Sequence, residues 1–212
     1  MHNRTLLSTI LLITALFTTS LFAEPLEGDG KDFSVRLGGG YADFNDLGEI
    51  LLFDFEQYEG DTYVLNFDTG WRFAENFADF PLDFYVKGGI SYFNENNLQN
   101  NFFEATLYLK AYYKLDMLDN RIRIGMGEGL SWASHIPMVE IADAGDGDKT
   151  VAKFLNYLDL SVDFNLGHLV RVEALEEIYV GYTIKHRSGV AGLFSGVRGG
   201  SNYKMLTIEK NF

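Results

Sequence analysis

The sequence predicts an all-β protein, an eight-stranded antiparallel transmembrane β-barrel of the bacterial outer membrane, and three observations carry that expectation. From Ser34 onward apolar and polar side chains repeatedly alternate with a period of two, as strands with unlike faces require. The polar face holds both signs of charge, in Arg36, Asp68, Arg72, Asp83, Lys87, Glu104, Lys110, Arg123, Asp159, Asp163, Lys185 and Arg187. A narrow barrel fills its interior with such pairs while lipid covers the outside. The connections are alternately long and short for most of the chain, the asymmetry of outer loops and periplasmic turns.

Residues 1–23 combine Arg4, an apolar run from Leu6 to Phe17 and small Ala23, the layout of a secretory signal with cleavage expected near Ala23–Glu24. Residues 24–212 are then one barrel domain, with Glu24–Lys31 as a periplasmic lead-in. The 212 residues carry a net charge of -13 and no cysteine, so disulfides and cysteine-metal sites are excluded. The acidic balance argues against a nucleic-acid partner. After the signal no run approaches the roughly 20 apolar residues of a membrane helix.

In order, the first strand sets Val35, Leu37, Gly39 and Tyr41 against Arg36 and Gly38. An acidic loop, Asn45–Asp61, follows, in which Leu51-Leu52-Phe53 is expected to extend a strand beyond the bilayer. The second strand sets Tyr63, Leu65, Phe67, Trp71 and Phe73 against Asn66, Asp68 and Arg72, and a short turn around Asn76–Pro81 leads to the third, with Leu82, Phe84, Val86, Ile90 and Tyr92 outward. Beyond polar Asn94–Asn101, the fourth strand presents Ala105, Leu107, Leu109, Ala111 and Leu115, and the tight turn Asp116–Asn120 returns into the fifth, with Ile122, Ile124, Met126, Leu130 and Trp132. The loop Pro137–Lys153 precedes the sixth, with Leu158, Leu160, Val162 and Phe164. Gly167–Glu177 is long for a periplasmic turn. The seventh strand, from Ile178, and the eighth, ending Leu206, Ile208 and terminal Phe212, flank a glycine-rich loop. Tyr41, Trp71, Tyr92 and Trp132 fall near strand ends on the apolar face, as interfacial aromatic belts require.

With the amino terminus in the periplasm, the seventh strand ends at the outer surface. His186 and Ser188 continue its apolar parity there, pointing the same way with Cβ atoms about 7 Å apart. An ionisable side chain directed at lipid is costly unless it has a use, and a Ser beside a His base is the minimum for an activated nucleophile. Asn202 has the same parity on the last strand, and an Asn can orient a catalytic His. Glu128, also on the apolar parity and two strands away, is the alternative third member, with Asn156 between them as a relay.

The signal, a barrel of this size and His-x-Ser at the outer end of the penultimate strand resemble the outer-membrane lipid A 3-O-deacylase (PagL) family, also called acyloxyacyl hydrolases. The likeness of architecture spans the mature chain, and the motif lies within His186–Tyr203. The resemblance implies a His–Ser–Glu triad on the barrel exterior that hydrolyses an ester-linked acyl chain of lipid A. Carried over, His186 is the general base and Ser188 the nucleophile. The family places Asn after the Ser, where this chain has Gly189, and an acid on the last strand, where this chain reads Gly200-Ser201-Asn202. The implied partner is lipopolysaccharide, with no cofactor or metal, in a monomer or homodimer.

Backbone N–H groups at Gly189 are the expected oxyanion donors, and Arg187 and Arg198 the expected contacts to lipid A phosphates, although Arg187 by parity can instead pair with an interior acid. A non-catalytic structural or ligand-binding barrel is the alternative. Asp143, Asp146 and Asp148 lack the full calcium-loop pattern and are expected as a solvated loop, and His135 and His168 fall near opposite ends of the barrel.

Overall fold

The computed structural model describes residues 30–145, 150–190, 192–194, 196–197 and 199–212; the signal segment 1–23 and most of the lead-in lie outside the described residues. Eight strands, β1 (Phe33–Asp43), β2 (Tyr63–Ala74), β3 (Leu82–Asn94), β4 (Phe102–Met117), β5 (Asn120–Ala133), β6 (Phe154–Asn165), β7 (Ile178–Ser188) and β8 (Gly200–Asn211), close into a barrel in sequence order. Every neighbouring pair is antiparallel, including β1 with β8.

The register fixes the shape. The row of partners from Asp43 runs through Asn202, His186, Leu158, Glu128, Leu109, Val86 and Trp71, and it returns to β1 at Phe33, ten residues lower. Eight strands with that stagger tilt by roughly 40° from the barrel axis, within the range of outer-membrane barrels. Each step along the row toward Phe33 descends about 3 Å in depth.

The alternation in the sequence becomes inside and outside. All twelve charged residues expected on the polar face are buried. Near the periplasmic end Lys87 and Glu209 pair at 2.6 Å, and Tyr112 donates to the same carboxylate at 2.7 Å. In the middle Arg36 bridges Asp68 and Asp159 at 2.8 and 2.5 Å, and Lys110 also pairs with Asp159. Higher up Lys185 meets Glu104 at 2.5 Å. Room for this lattice comes from interior glycine: a Cβ on Gly125 would sit 2.4 Å from Ser161 Oγ and 2.7 Å from Lys110 Nζ. An apolar cluster of Val64, Phe93, Phe102, Met205 and neighbours closes the outer mouth.

Outside, Leu37, Leu65, Phe67, Ile90, Leu107, Met126 and Leu206 are among many large apolar side chains left exposed. In water such a surface would aggregate, and in a bilayer it is the solvent-facing side. Trp71 near the periplasmic end and Tyr41 and Trp132 near the outer end are each half exposed, as an interfacial belt requires.

The connections depart from expectation in three places. Leu51-Leu52-Phe53 does not extend a strand. It ends helix α1 (Leu47–Leu51), whose Glu49 carboxylate accepts from the Asp46 N–H at 2.9 Å, a capping interaction that favours helix over strand. The loop Pro137–Lys153 contains helix α2 (Met138–Ala144), which sits over the barrel mouth with Val139 and Glu140 buried. The long periplasmic connection folds into helix α3 (Leu166–Val170), capped by the Asn165 side chain, which accepts from the His168 N–H at 3.0 Å, and a 3-10 turn at Glu173–Leu175.

Asp159 accepts from Arg36, Lys110 and Tyr157 at once. Asp159→Ala leaves buried Lys110 without its carboxylate and Arg36 with Asp68 alone, and breaking such a pair costs about 3–5 kcal/mol. Urea titration of the folded fraction, read by heat-modifiable electrophoretic mobility, should show that loss, and an unchanged midpoint would remove Asp159 from the lattice's key position.

Candidate functional site

Interior-facing Lys185 and Arg187 alternate with His186 and Ser188, so burial of the two cations forces the other two side chains onto the exterior at the outer end of β7. Asn202 on β8 is the register partner of His186. Its side chain contacts two elements: Nδ2 donates to the Asn45 carbonyl at 2.8 Å, and Oδ1 lies 2.7 Å from His186 Nδ1. These contacts determine the tautomer. A carbonyl only accepts, so the amide nitrogen must face Asn45 and the amide oxygen must face the imidazole. His186 Nδ1 therefore donates, and Nε2 keeps its lone pair, the state a general base needs.

The loop before α1 thus helps set the histidine, and it is held in turn by Asp43. That carboxylate accepts from the Asn45 and Glu56 N–H groups at 3.0 and 3.3 Å and pairs with Lys204 at 2.6 Å. Lys204 also lies 4.9 Å from the Phe55 ring centroid.

Ser188 Oγ accepts from the Val190 N–H at 3.3 Å. Val190 has a φ of 47°, left-handed backbone that a β-branched residue adopts only at a cost. The oxyanion donor expected at Gly189 needs correction. Its N–H donates to the Gly199 carbonyl at 3.1 Å and is committed to closing the hairpin. Glycine is needed there for close approach, because a Cβ would lie 2.0 Å from the Val197 carbonyl oxygen. The amide aimed at the serine belongs to Val190, which sequence reasoning missed because no propensity favours valine in that conformation.

Arg187 as a phosphate contact is corrected too. It is fully buried, donating to Ser131 Oγ at 2.8 Å and to Glu140 at 2.5 Å, with Glu104 at 3.3 Å. Burial in the mouth keeps the Glu140 carboxyl above the usual carboxylate range, against the pull of Arg187. Arg198, Asp146 and Asp148 lie outside the described residues. Glu128 is not brought to His186: it is lipid-facing on β5, with Asn156 of β6 as its diagonal neighbour on the same face.

His186, Ser188 and Asn202 line a cleft of about 590 Å³, within the range of small-molecule sites. Its other walls are Phe44, Asp46 and Leu47 from the first outer loop, Val139 and Asp143 from α2, and Val190 and Gly199 from the last outer loop.

Fold and cleft define an eight-stranded outer-membrane barrel with a polar constellation on its exterior at the outer rim. No family model matches the chain, and no curated protein matches it in sequence. Among solved structures it is similar to the outer membrane enzyme PagL, at 13% identity and a TM-score of 0.55 over 84% of this chain and 99% of that one. It also resembles the N-terminal barrel domain of Pseudomonas aeruginosa OprF (10% identity, TM-score 0.47, 87% and 100% covered) and Neisserial surface protein A, NspA (12%, 0.49, 85% and 97%). At these identities the likeness is one of fold. The chain is a barrel of the bacterial outer membrane.

If Asn202 sets the tautomer, 15N spectra of histidine-labelled protein should show His186 as the single Nδ1–H form in the wild type. Asn202→Ala should give a mixture of tautomers. A single Nε2–H form in the wild type would refute the assignment.

Proposed function

We propose that the protein is an outer-leaflet lipid esterase that hydrolyses an ester-linked acyl chain of lipid A in lipopolysaccharide. The observation that carries this is the forced tautomer of His186, whose basic Nε2 shares the lipid-facing side of β7 with Ser188. The likeness in sequence pattern and fold to PagL supports the choice of substrate.

In the reaction Ser188 Oγ attacks the ester carbonyl carbon while His186 Nε2 takes the hydroxyl proton. The tetrahedral oxyanion is met by the Val190 N–H, the amide beside the nucleophile. Collapse breaks the bond to the sugar oxygen, which leaves with the proton from His186. Water, deprotonated by the same imidazole, then releases the fatty acid. In the resting geometry Ser188 Oγ accepts from Val190, so rotation of the serine about χ1 toward Nε2 accompanies substrate entry.

A lipid-facing nucleophile suits a substrate that never leaves the bilayer, because the ester lies at headgroup depth and arrives by lateral diffusion. Asp46 and Asp143 in the cleft suit sugar hydroxyls as donors better than phosphates. Those same carboxylates favour the second reading, a non-catalytic barrel that binds a glycan or other ligand in this cleft.

Mass spectrometry of lipid A from cells expressing wild type or Ser188→Ala separates the two. The esterase predicts loss of one acyl chain with the wild type and an intact lipid A with Ser188→Ala. Intact lipid A alongside folded, membrane-inserted wild type would leave the ligand-binding barrel.

A further inference from the structure

Among the described residues Glu128 is the one carboxylate on the lipid-facing side of the strands away from their ends. It lies four residues below Trp132 on β5, roughly 10 Å deeper at ordinary strand rise and tilt. Snorkelling to the headgroups over that distance exceeds the reach of a glutamate side chain. Such a group is expensive at this depth and marks a functional site by default.

Its surroundings tie it to the cleft. Asn156 is the diagonal neighbour of Glu128 on the same outer face of β6 and β5, and it is the register partner of Ser188. Glu128, Asn156, Ser188, His186 and Asn202 therefore form a polar track across four consecutive strands of an otherwise apolar wall. Glu128 is two register steps from His186 through Leu158, about 10 Å along the row and, by the barrel's stagger, roughly 6 Å nearer the membrane centre. A carboxyl group has several acceptor positions, and Asn156 is an amide beside it on the wall. In hydrocarbon the remaining donors must come from lipid.

We infer that Glu128 and Asn156 form an accessory subsite that recognises a hydroxyl or amide N–H in the upper acyl region of the lipid whose ester reaches Ser188. This rests on the esterase proposal for where the ester sits. The depth offset favours a β-hydroxyl, which lies a few bonds below the linkage of a hydroxyacyl chain; an amide N–H lies at the linkage itself, and the plain ester-linked chains of bulk phospholipids carry neither donor. Recognition works partly by exclusion, since a chain without a donor leaves the carboxyl unsatisfied and is rejected.

Native mass spectrometry of lipid retention tests this with Ser188→Ala as the parent, so that nothing is turned over. The probes are a synthetic acylated glucosamine bearing β-hydroxymyristoyl chains, the same lipid with myristoyl chains, and versions of each with amide or ester linkage. The parent should retain donor-bearing lipids roughly tenfold better than the ester-linked myristoyl probe, the upper scale of one hydrogen bond. Adding Glu128→Leu should abolish the preference and Glu128→Gln, which keeps an acceptor, should retain part of it. The hydroxyl and amide arms show which donor is read. Glu128→Leu removes a lipid-facing carboxyl and should fold at least as well, which heat-modifiable mobility checks. No preference in the parent, or a preference that survives Glu128→Leu, overturns the subsite. Because the readout is retention, a preference without hydrolysis by the wild type would leave the subsite standing while the esterase falls, and hydrolysis without a preference would do the reverse.

Discussion

The lattice of buried charges inside the barrel is the constraint on which the rest depends. Hydrogen bonds close the wall, but they do not say which face of each strand turns inward. Arg36 reaches from β1 across the lumen to Asp159 on β6, and Lys87 reaches from β3 to Glu209 on β8. Each link joins strands that are not neighbours, so a one-residue slip of a linked strand would put an ionic side chain into lipid and an apolar one into the lattice. Replacing such pairs with apolar residues can be neutral or stabilising elsewhere. In a barrel whose exterior is already apolar, the charged interior is what distinguishes the two faces.

That constraint also builds the exterior site. Arg187 is clamped by Glu104, Glu140, Ser131 and the Lys153 carbonyl at 3.1 Å. Because it lies between His186 and Ser188, fixing its direction inward fixes theirs outward. Glu140 carries the same clamp into α2, whose Val139 and Asp143 form part of the cleft, and Ser201 donates to Glu140 at 2.7 Å beside Asn202. The inner lattice and the outer constellation are thus the two faces of the same strand ends.

The barrel was legible in the sequence because a period of two with opposite-sign charges on one face has few other solutions. The positions of His186, Ser188 and Asn202 followed from parity alone. What parity could not reveal were contacts made by loops: the Asn45 carbonyl that orients Asn202, the commitment of the Gly189 amide to Gly199, and the helix at Leu47–Leu51. Arg187 shows the limit from the other side. Its parity pointed inward, and the phosphate role suggested by its neighbours in sequence gave way to the lumen, where Glu104, Glu140 and Ser131 awaited it.

Asn202 in place of an acid on the last strand is consistent with its surroundings. An acid there would place one oxygen against His186 and the other against the Asn45 carbonyl, 2.8 Å from the present amide nitrogen, where two acceptors repel. An amide satisfies both neighbours without bringing a charge to the lipid boundary. It orients the imidazole but brings no charge that would stabilise an imidazolium, so in the proposed esterase the chemical step would depend more heavily on the oxyanion donor. The strained backbone at Val190 points its amide toward the serine, which is where the proposed reaction would need that compensation.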